Sequence, residues 1–243
     1  MLEIQSDWVN LQVADGTTMR AYVARPQKEH VRAGLLVFQE AFGVNAHIRD
    51  VTERFAREGY YALAPELFHR TASGFEGTYD NFEAVMPHVR ALKEQDLEAD
   101  ARSAYTWLRD NLGAAGTPVA CVGFCMGGRV SFLTNSILPI KAAVSFYGGG
   151  IAPSPMGPGL LARTANLHAP QLLFWGGLDK HIGPDQTQAV SGALRKAGKV
   201  FVNVEFSDAD HGFFCDARAS YNPAAAQQAW ALTHSFLNCH LAK

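Results

Sequence analysis

Short apolar runs alternate along this chain with segments whose apolar positions recur at helical spacing. The first two runs, residues 6–13 and 18–25, flank the turn-forming letters ADGTT and predict an antiparallel hairpin. A third run, residues 34–40, precedes a segment in which Ile48 and Val51 share one helical face. The chain therefore changes from an opening hairpin to an order in which strands and helices alternate.

The later part of the chain repeats this strand–helix order. Further strands are predicted at 60–67, 117–124, 141–149, 170–177 and 200–206, and helices at 97–112, after residue 125, at 184–197 and at 223–241. Nearly continuous apolar strands are typical of a mostly parallel central sheet with helices on both faces. The prediction is one α/β domain over residues 1–243. Residues 68–95 are mixed in composition and are interpreted as an irregular lid or substrate-binding insertion.

Composition and charge narrow the class of protein. Of 243 residues, 48% are hydrophobic and 18% charged, which is typical of a globular protein, and the net charge is −2. No basic run is present, so a nucleic-acid partner is not expected. We find no signal peptide and no apolar stretch long enough to span a membrane. The four cysteines resemble neither a disulfide framework nor a zinc site, which favours the cytoplasm and predicts no metal and no cofactor.

The letters VGFCMGGRV, residues 122–130, have the outline of a nucleophile elbow with cysteine in the central position. Gly123 and Gly127 flank Cys125, as a strained strand-to-helix turn requires. The helix that follows would point its N-terminus at the sulfur and favour a thiolate. A buried structural cysteine between packing glycines is the alternative.

Two later residues complete a catalytic set with this cysteine. Asp179 follows the strand 170–177, and His211 follows the strand 200–206. Enzymes with this elbow carry nucleophile, acid and histidine in that chain order. Asp208 and Asp210 lie too close to the histidine in sequence to orient its ring well. We therefore interpret Cys125 as nucleophile, His211 as base and Asp179 as orienting acid.

A carboxylate at the end of an apolar strand is a further unusual feature. Glu40 ends the run 34–40. Burying its carboxylate there is costly unless another group pairs with it. It either forms a salt bridge with an arginine or contacts the thiol or His211. The loop after this strand is also where a second oxyanion donor belongs, so the backbone N–H groups of Ala41 and Met126 are the predicted oxyanion hole.

Together these residues resemble the dienelactone hydrolase family of α/β-hydrolases. The matching pieces are QEAFGVNAHIRDVTERFAREGYYALAPELF, GFCMGG, GGLD and DADHGFF, in that order along most of the chain. The resemblance implies an α/β-hydrolase fold and an enzyme that opens lactone esters through an acyl-enzyme on Cys125. It also implies that Glu40 helps to deprotonate this cysteine when substrate enters.

The sequence departs from the family at positions that bind the substrate carboxylate. Dienelactone-specific members resemble each other in having an arginine four residues after the catalytic histidine, where this chain has Cys215. Arg218 is the candidate replacement. Gly212 stands where those members carry serine. Arg70 and Arg90, the arginines of the 68–95 segment, are not assigned to a family arginine. An anionic lactone is therefore one candidate substrate among esters and lactones.

Other functions remain open on the same residues. A thioesterase, an acyltransferase and a peptidase would all use this triad, and a non-catalytic protein of the same fold would retain only the scaffold. A dinucleotide-binding oxidoreductase is disfavoured, because GFCMGG lacks the G-x-G-x-x-G pattern. The expected partner is a small ester or lactone, acted on by a monomer or weak homo-oligomer.

Overall fold

The computed structural model describes residues 2–27, 31–154 and 157–242. Eight strands and seven α-helices follow one another in it. The strands are β1 Ile4–Gln12, β2 Thr18–Pro26, β3 Ala33–Phe38, β4 Tyr60–Pro65, β5 Val119–Phe124, β6 Ala143–Phe146, β7 Gln171–Gly176 and β8 Phe201–Phe206. The helices are α1 Ala46–Arg57, α2 His69–Ala72, α3 Phe82–Ala91, α4 Glu94–Asn111, α5 Met126–Ile137, α6 Pro184–Lys196 and α7 Pro223–Leu241.

The chain divides into two compact units, Met1–Ala120 and Cys121–Lys243, with the boundary inside β5. Strands of the first unit are ordered β1-β2-β4-β3, and those of the second β5-β6-β7-β8. Among the described pairings, β1–β2 and β2–β4 are antiparallel, whereas β3–β4, β5–β6, β6–β7 and β7–β8 are parallel. The predicted α/β class with mostly parallel strands is confirmed.

The opening hairpin forms as predicted. β1 and β2 pair from Ile4 opposite Pro26 to Gln12 opposite Thr18. Its turn is fixed by Asp15, whose Oδ1 accepts hydrogen bonds from the Thr17 backbone N–H at 3.0 Å and hydroxyl at 2.6 Å.

The parallel strands explain the apolar runs in the sequence. Every residue of β5, β6 and β7 is buried, as expected for strands covered on both faces. The edge strand β8 instead alternates between partly buried and exposed positions. The residues that follow β5, β6 and β7 are thus attached to fully buried strands, which fixes their positions.

The prediction that residues 68–95 are irregular was wrong in detail. This segment contains α2 and α3, and α4 already begins at Glu94. The side chain of Asn81 caps α3 by accepting from the Ala84 N–H at 3.2 Å. The apolar residues of α3 do recur at helical spacing, at Phe82, Val85, Met86 and Val89. Pro87 lies inside the helix and obscures this pattern, because proline is disfavoured in a helix interior.

Two smaller differences concern the ends of elements. The strand predicted to reach Glu40 ends at Phe38, so Glu40 lies in the following loop. A short 3₁₀ helix, Leu161–Asn166, was not predicted. Within the described residues, none of the helices is both long enough and apolar enough to span a membrane.

Candidate active site

Cys125 occupies a strained turn between β5 and α5. Its backbone has φ 55° and ψ −120°, a left-handed conformation that is rare for a residue with a side chain. A Cβ at Gly123 would collide with the carbonyl oxygen of Gly127, so glycine is required for this close approach. Strand, strained residue and helix together form a nucleophile elbow.

The helix behind the cysteine supplies an electrostatic environment for an anion. α5 begins at Met126, directly after Cys125, and the cysteine backbone is held by its own N–H donating to Phe146 O at 3.0 Å. Backbone N–H groups in the first turn of a helix have no acceptor within that helix, and they carry a positive partial charge. A thiolate and an oxyanion are both stabilised at such a position.

Asp179 and His211 lie directly against each other. The His211 Nδ1–H donates to Asp179 Oδ2 at 2.7 Å. The other carboxylate oxygen accepts backbone N–H groups of His181 at 2.7 Å and Ile182 at 3.1 Å. Both oxygens are therefore occupied, which fixes the carboxylate and, through it, the tautomer and direction of the imidazole ring.

The remaining ring nitrogen of His211 faces Cys125, because His211 also hydrogen-bonds the Cys125 side chain. Burial opposes charge on the imidazole, but the negative charge of a Cys125 thiolate and the hydrogen bond to Asp179 outweigh it and raise the pKa of His211 to about 10. Burial also opposes ionisation of Asp179, yet the hydrogen bond from His211 lowers the pKa of this carboxyl below its usual value. The three side chains thus form a hydrogen-bonded chain with His211 in the middle.

Two aromatic rings that the sequence did not assign to the site lie beside His211. Tyr147 follows β6, is fully buried, and its ring centroid is 5.1 Å from that of His211. Its backbone φ of 38° is another left-handed value at a non-glycine residue. The exposed ring of His181 lies edge-on to His211 at 5.6 Å. Position after a strand was the available signal for Tyr147, but aromatic residues in such loops often serve packing alone.

Arg218 returns close to His211 through two successive turns. Cys215 N–H donates to Gly212 O at 3.0 Å, and Arg218 N–H donates to Cys215 O at 3.1 Å. This winding lays the guanidinium over Gly212, the residue next to His211. Cys215 itself is fully buried. Arg218 is therefore next to His211, and Cys215, which replaces the arginine of dienelactone-specific members, is in the core.

The first unit contains Glu40 and Ala41 in the loop after β3. Glu40 is fully buried, and Ala41 is 3% exposed. The neighbouring Gln39 fixes this loop, because its side-chain oxygen accepts the Leu67 N–H at 3.0 Å and its amide donates to Glu40 O at 3.2 Å. Arg70 is committed elsewhere in this unit, to Asp100 and Asp15, which makes it a poor candidate for substrate binding.

The other cysteines have different environments. All four cysteines are free thiols. Cys121 is fully buried in β5 with its sulfur 3.2 Å from Ser131 Oγ, and burial raises the pKa of its thiol to about 12. Cys239 is exposed on α7. Of the four, Cys125 alone combines the strained turn with a hydrogen-bonded histidine.

An elbow after a parallel strand, followed by acid and histidine after later strands, defines the α/β-hydrolase class. A sequence profile of the "Dienelactone hydrolase family" matches residues 19–241. The chain belongs to this family. The enzyme class predicted from the sequence, a carboxylic ester hydrolase, is the class that the family defines.

Individual relatives agree with this assignment. The chain is 39% identical over 232 residues to a protein of Synechocystis sp. named "Putative carboxymethylenebutenolidase", covering 91% of this chain and 89% of the relative. A protein of the same name in Escherichia coli K12 is 35% identical over 227 residues, covering 89% and 81%.

Solved structures show the same fold. A crystal structure described as a "Putative Dienelactone Hydrolase" of Klebsiella pneumoniae superposes with TM-score 0.86 at 30% identity, covering 96% of this chain and 98% of the other. An esterase of Pyrococcus furiosus has TM-score 0.73 at 16% identity, covering 98% and 92%, and shows the fold alone. The predicted α/β-hydrolase fold is confirmed.

Proposed function

We propose that this protein hydrolyses small esters or lactones through an acyl-enzyme on Cys125. The observation that carries the proposal is the hydrogen-bonded set Cys125–His211–Asp179 at a strained elbow. A residue held at φ 55° with an oriented histidine beside its sulfur has the geometry of an activated nucleophile. The chain acts as one domain in this proposal.

The reaction begins with attack of the Cys125 sulfur on the carbonyl carbon of the substrate. The carbonyl π electrons move to oxygen, and the resulting oxyanion is stabilised by the N–H groups of Ala41 and Met126. Collapse of this intermediate breaks the ester C–O bond, and His211 gives its proton to the departing alkoxide. The product at this stage is a thioester on Cys125, and in a lactone the freed oxygen remains attached to the acyl group.

Deacylation uses the same groups in reverse. Neutral His211 takes a proton from water as the water oxygen attacks the thioester carbon. The second oxyanion collapses, the C–S bond breaks, and the carboxylic acid leaves while Cys125 returns as a thiolate beside the imidazolium. Asp179 holds the ring in one tautomer throughout. No redox partner is required, and one water is consumed for each ester bond hydrolysed.

Glu40 is assigned a role before attack, as a base that helps to generate the Cys125 thiolate when substrate enters. Its complete burial in the loop after β3, next to the proposed oxyanion donor Ala41, supports this assignment. A Glu40→Gln variant should therefore lower turnover while leaving the fold and the His211–Asp179 pair intact.

Arg218 is assigned to the carboxylate of an anionic substrate. Its guanidinium lies over Gly212, next to His211, where a substrate bound at Cys125 would present its polar end. Arg218→Met should raise KM for a dienelactone about 10-fold or more while changing KM for a neutral aryl ester little. Equal effects on both substrates would contradict the assignment of Arg218.

The decisive experiment compares Cys125→Ala with Cys239→Ala. Both changes remove one free thiol, but only the first removes the proposed nucleophile. Cys125→Ala should lower kcat/KM for whichever ester is accepted by at least about 10⁴-fold, and Cys239→Ala should leave it unchanged. Mass spectrometry of the wild-type protein quenched during turnover should show an adduct of the acyl group. Normal hydrolysis by Cys125→Ala would refute the mechanism.

A substrate panel separates the related reactions, since a thioesterase, an acyltransferase and a peptidase would form the same adduct. The proposed partner is a small molecule, and the proposed protein is a monomer or weak homo-oligomer. Its proposed compartment is the cytoplasm, because a thiolate nucleophile and three further free thiols suit a reducing environment.

A further inference from the structure

The loop that contains the proposed oxyanion donor Ala41 is buried although it is irregular. From Gln39 to Asn45, every residue of this loop is buried. Buried backbone without regular structure needs hydrogen-bond partners from elsewhere, since unsatisfied N–H and C=O groups are costly. The source of these partners identifies what holds the loop in place.

Much of that support comes from residues Phe75–Tyr79, which we name the covering segment. The Gly77 N–H donates to Phe42 O at 3.0 Å. Gly43 has φ 82°, and a Cβ there would collide with the carbonyl oxygen of Phe75. The two stretches of backbone therefore lie in direct contact within the first unit.

Side chains make a second connection between loop and covering segment. Asn45 Nδ2 donates to the Tyr79 hydroxyl at 3.0 Å, while Asn45 Oδ1 accepts the Ile48 N–H at 3.2 Å and caps α1. The Phe42 and Tyr79 rings pack edge to face with centroids 4.6 Å apart. Asn45 thus ties the end of the loop both to a helix and to the covering segment.

A third connection passes through Arg49 on α1. Its Nη1 donates to Val44 O at 2.7 Å and lies 2.6 Å from Glu76 Oε1. The residue before the covering segment is also anchored, because the Gly74 N–H donates to the Glu66 carboxylate at 3.0 Å. The loop is therefore held from three sides by groups that do not belong to the proposed triad.

We propose that Tyr79 and Asn45 are positioning residues for ester hydrolysis, because their hydrogen bond holds the loop that presents the Ala41 N–H. This inference rests on the proposed function, in which that N–H stabilises the oxyanion. Oxyanion donors contribute through preorganisation, and a small displacement of one donor lowers turnover without preventing substrate binding. Residues 68–95 then act on catalysis through the loop as well as through any contact with substrate.

The test uses Tyr79→Phe, which retains the ring and removes the hydroxyl, and Asn45→Ser, which retains a helix-capping oxygen and removes the amide donor. Each variant should lower kcat about 10- to 100-fold with KM changed less than about 2-fold. The double variant should be no worse than the more impaired single variant, because both remove the same hydrogen bond. Tyr105→Phe, a hydroxyl deletion on α4, is the matched control and should leave kcat unchanged.

A trifluoromethyl ketone analogue of the accepted ester provides a readout of oxyanion stabilisation. It adds to the Cys125 sulfur and forms a tetrahedral oxyanion, so its affinity should fall in Tyr79→Phe in proportion to kcat. The affinity of an unreactive ether analogue should not change. Unchanged kcat and unchanged ketone affinity in Tyr79→Phe would overturn the proposal, as would equal losses for ketone and ether.

Failure of this inference is distinguishable from failure of the proposed function. If Cys125→Ala abolishes hydrolysis but Tyr79→Phe has no effect, only the positioning role is wrong. If Cys125→Ala retains hydrolysis, the proposed mechanism itself is wrong. The inference would also be overturned if the loss of kcat in Tyr79→Phe disappeared on cooling while the folded fraction recovered. Tyr79 would then contribute only to stability.

Discussion

The guanidinium of Arg218 lies so close to Gly212 that any side chain at position 212 would collide with it. Gly212 also has φ 79°, a backbone conformation that favours glycine. Serine stands at this position in the dienelactone hydrolases that the sequence resembles, and their arginine four residues after the histidine is replaced here by Cys215. Glycine at 212 and arginine at 218 are therefore two parts of one local arrangement beside His211.

The first prediction follows from this contact. Gly212→Ser should destabilise the protein by about 1–3 kcal/mol, because it introduces backbone strain and displaces Arg218. Adding Arg218→Ala to this variant should recover part of the lost stability. The collision with Arg218 is then removed, while the backbone strain at position 212 remains. Urea denaturation of the single and double variants measures both effects.

The matched control for Gly212→Ser is Gly192→Ala in the middle of α6. A Cβ at Gly192 would meet no heavy atom within 4 Å, and helix propensity favours alanine there. We expect this variant to be about 0.5–1 kcal/mol more stable than wild type. Equal stability of Gly212→Ser and wild type would show that Arg218 adjusts without cost.

The second prediction concerns the tautomer of His211. Asp179→Asn should lower kcat by about 10³- to 10⁴-fold, because an amide opposite Nδ1 no longer selects the ring form that faces Cys125. The backbone N–H groups of His181 and Ile182 still have an oxygen to contact, so the melting temperature should change little. Steady-state kinetics measures the change in kcat, and thermal denaturation measures the melting temperature. Asp185→Asn, in the first turn of α6, is the control and should retain activity.

The geometry of the candidate site was predictable, because each of its three residues follows a strand. Cys125, Asp179 and His211 each follow an apolar run, and parallel strands place their carboxyl ends along one edge. What the sequence did not predict depends on tertiary context. α3 contains Pro87, and a proline inside a segment argues against a helix there, although the helix forms in this fold. The left-handed backbone of Tyr147 likewise has no local signal.

The third prediction concerns the pH dependence of the His211 imidazolium. Its folded-state pKa of about 10 exceeds the usual 6.5, so its contribution to stability is complete below pH 6.5 and is lost as pH rises through 10. Cys125→Ser removes the thiolate charge and should lower the pKa of His211, which moves this loss to lower pH. NMR titration of the His211 ring measures the midpoint.

Cys239→Ser is the control for this titration, since it removes an exposed thiol on α7 and should leave the His211 midpoint unchanged. A His211 midpoint that is the same in Cys125→Ser as in wild type would mean that the thiolate does not stabilise the imidazolium. In that case the ion pair between nucleophile and base would not exist in the resting protein.

The fourth prediction concerns a buried ion pair in the first unit. Arg70 binds the fully buried Asp100 through two hydrogen bonds of 2.8 and 2.9 Å, and burial raises the pKa of Asp100 despite them. Arg70→Met should cost about 3–5 kcal/mol, because it leaves a buried carboxylate without its cation. This loss of stability should shrink as pH falls and Asp100 takes up a proton.

The double variant Arg70→Met with Asp100→Leu should recover most of the stability that Arg70→Met loses. Arg109→Met, which breaks an exposed pair with Asp110, should cost at most about 1 kcal/mol. Urea denaturation at pH 7 and pH 5 measures these differences, and equal losses for the Arg70 and Arg109 variants would contradict the prediction.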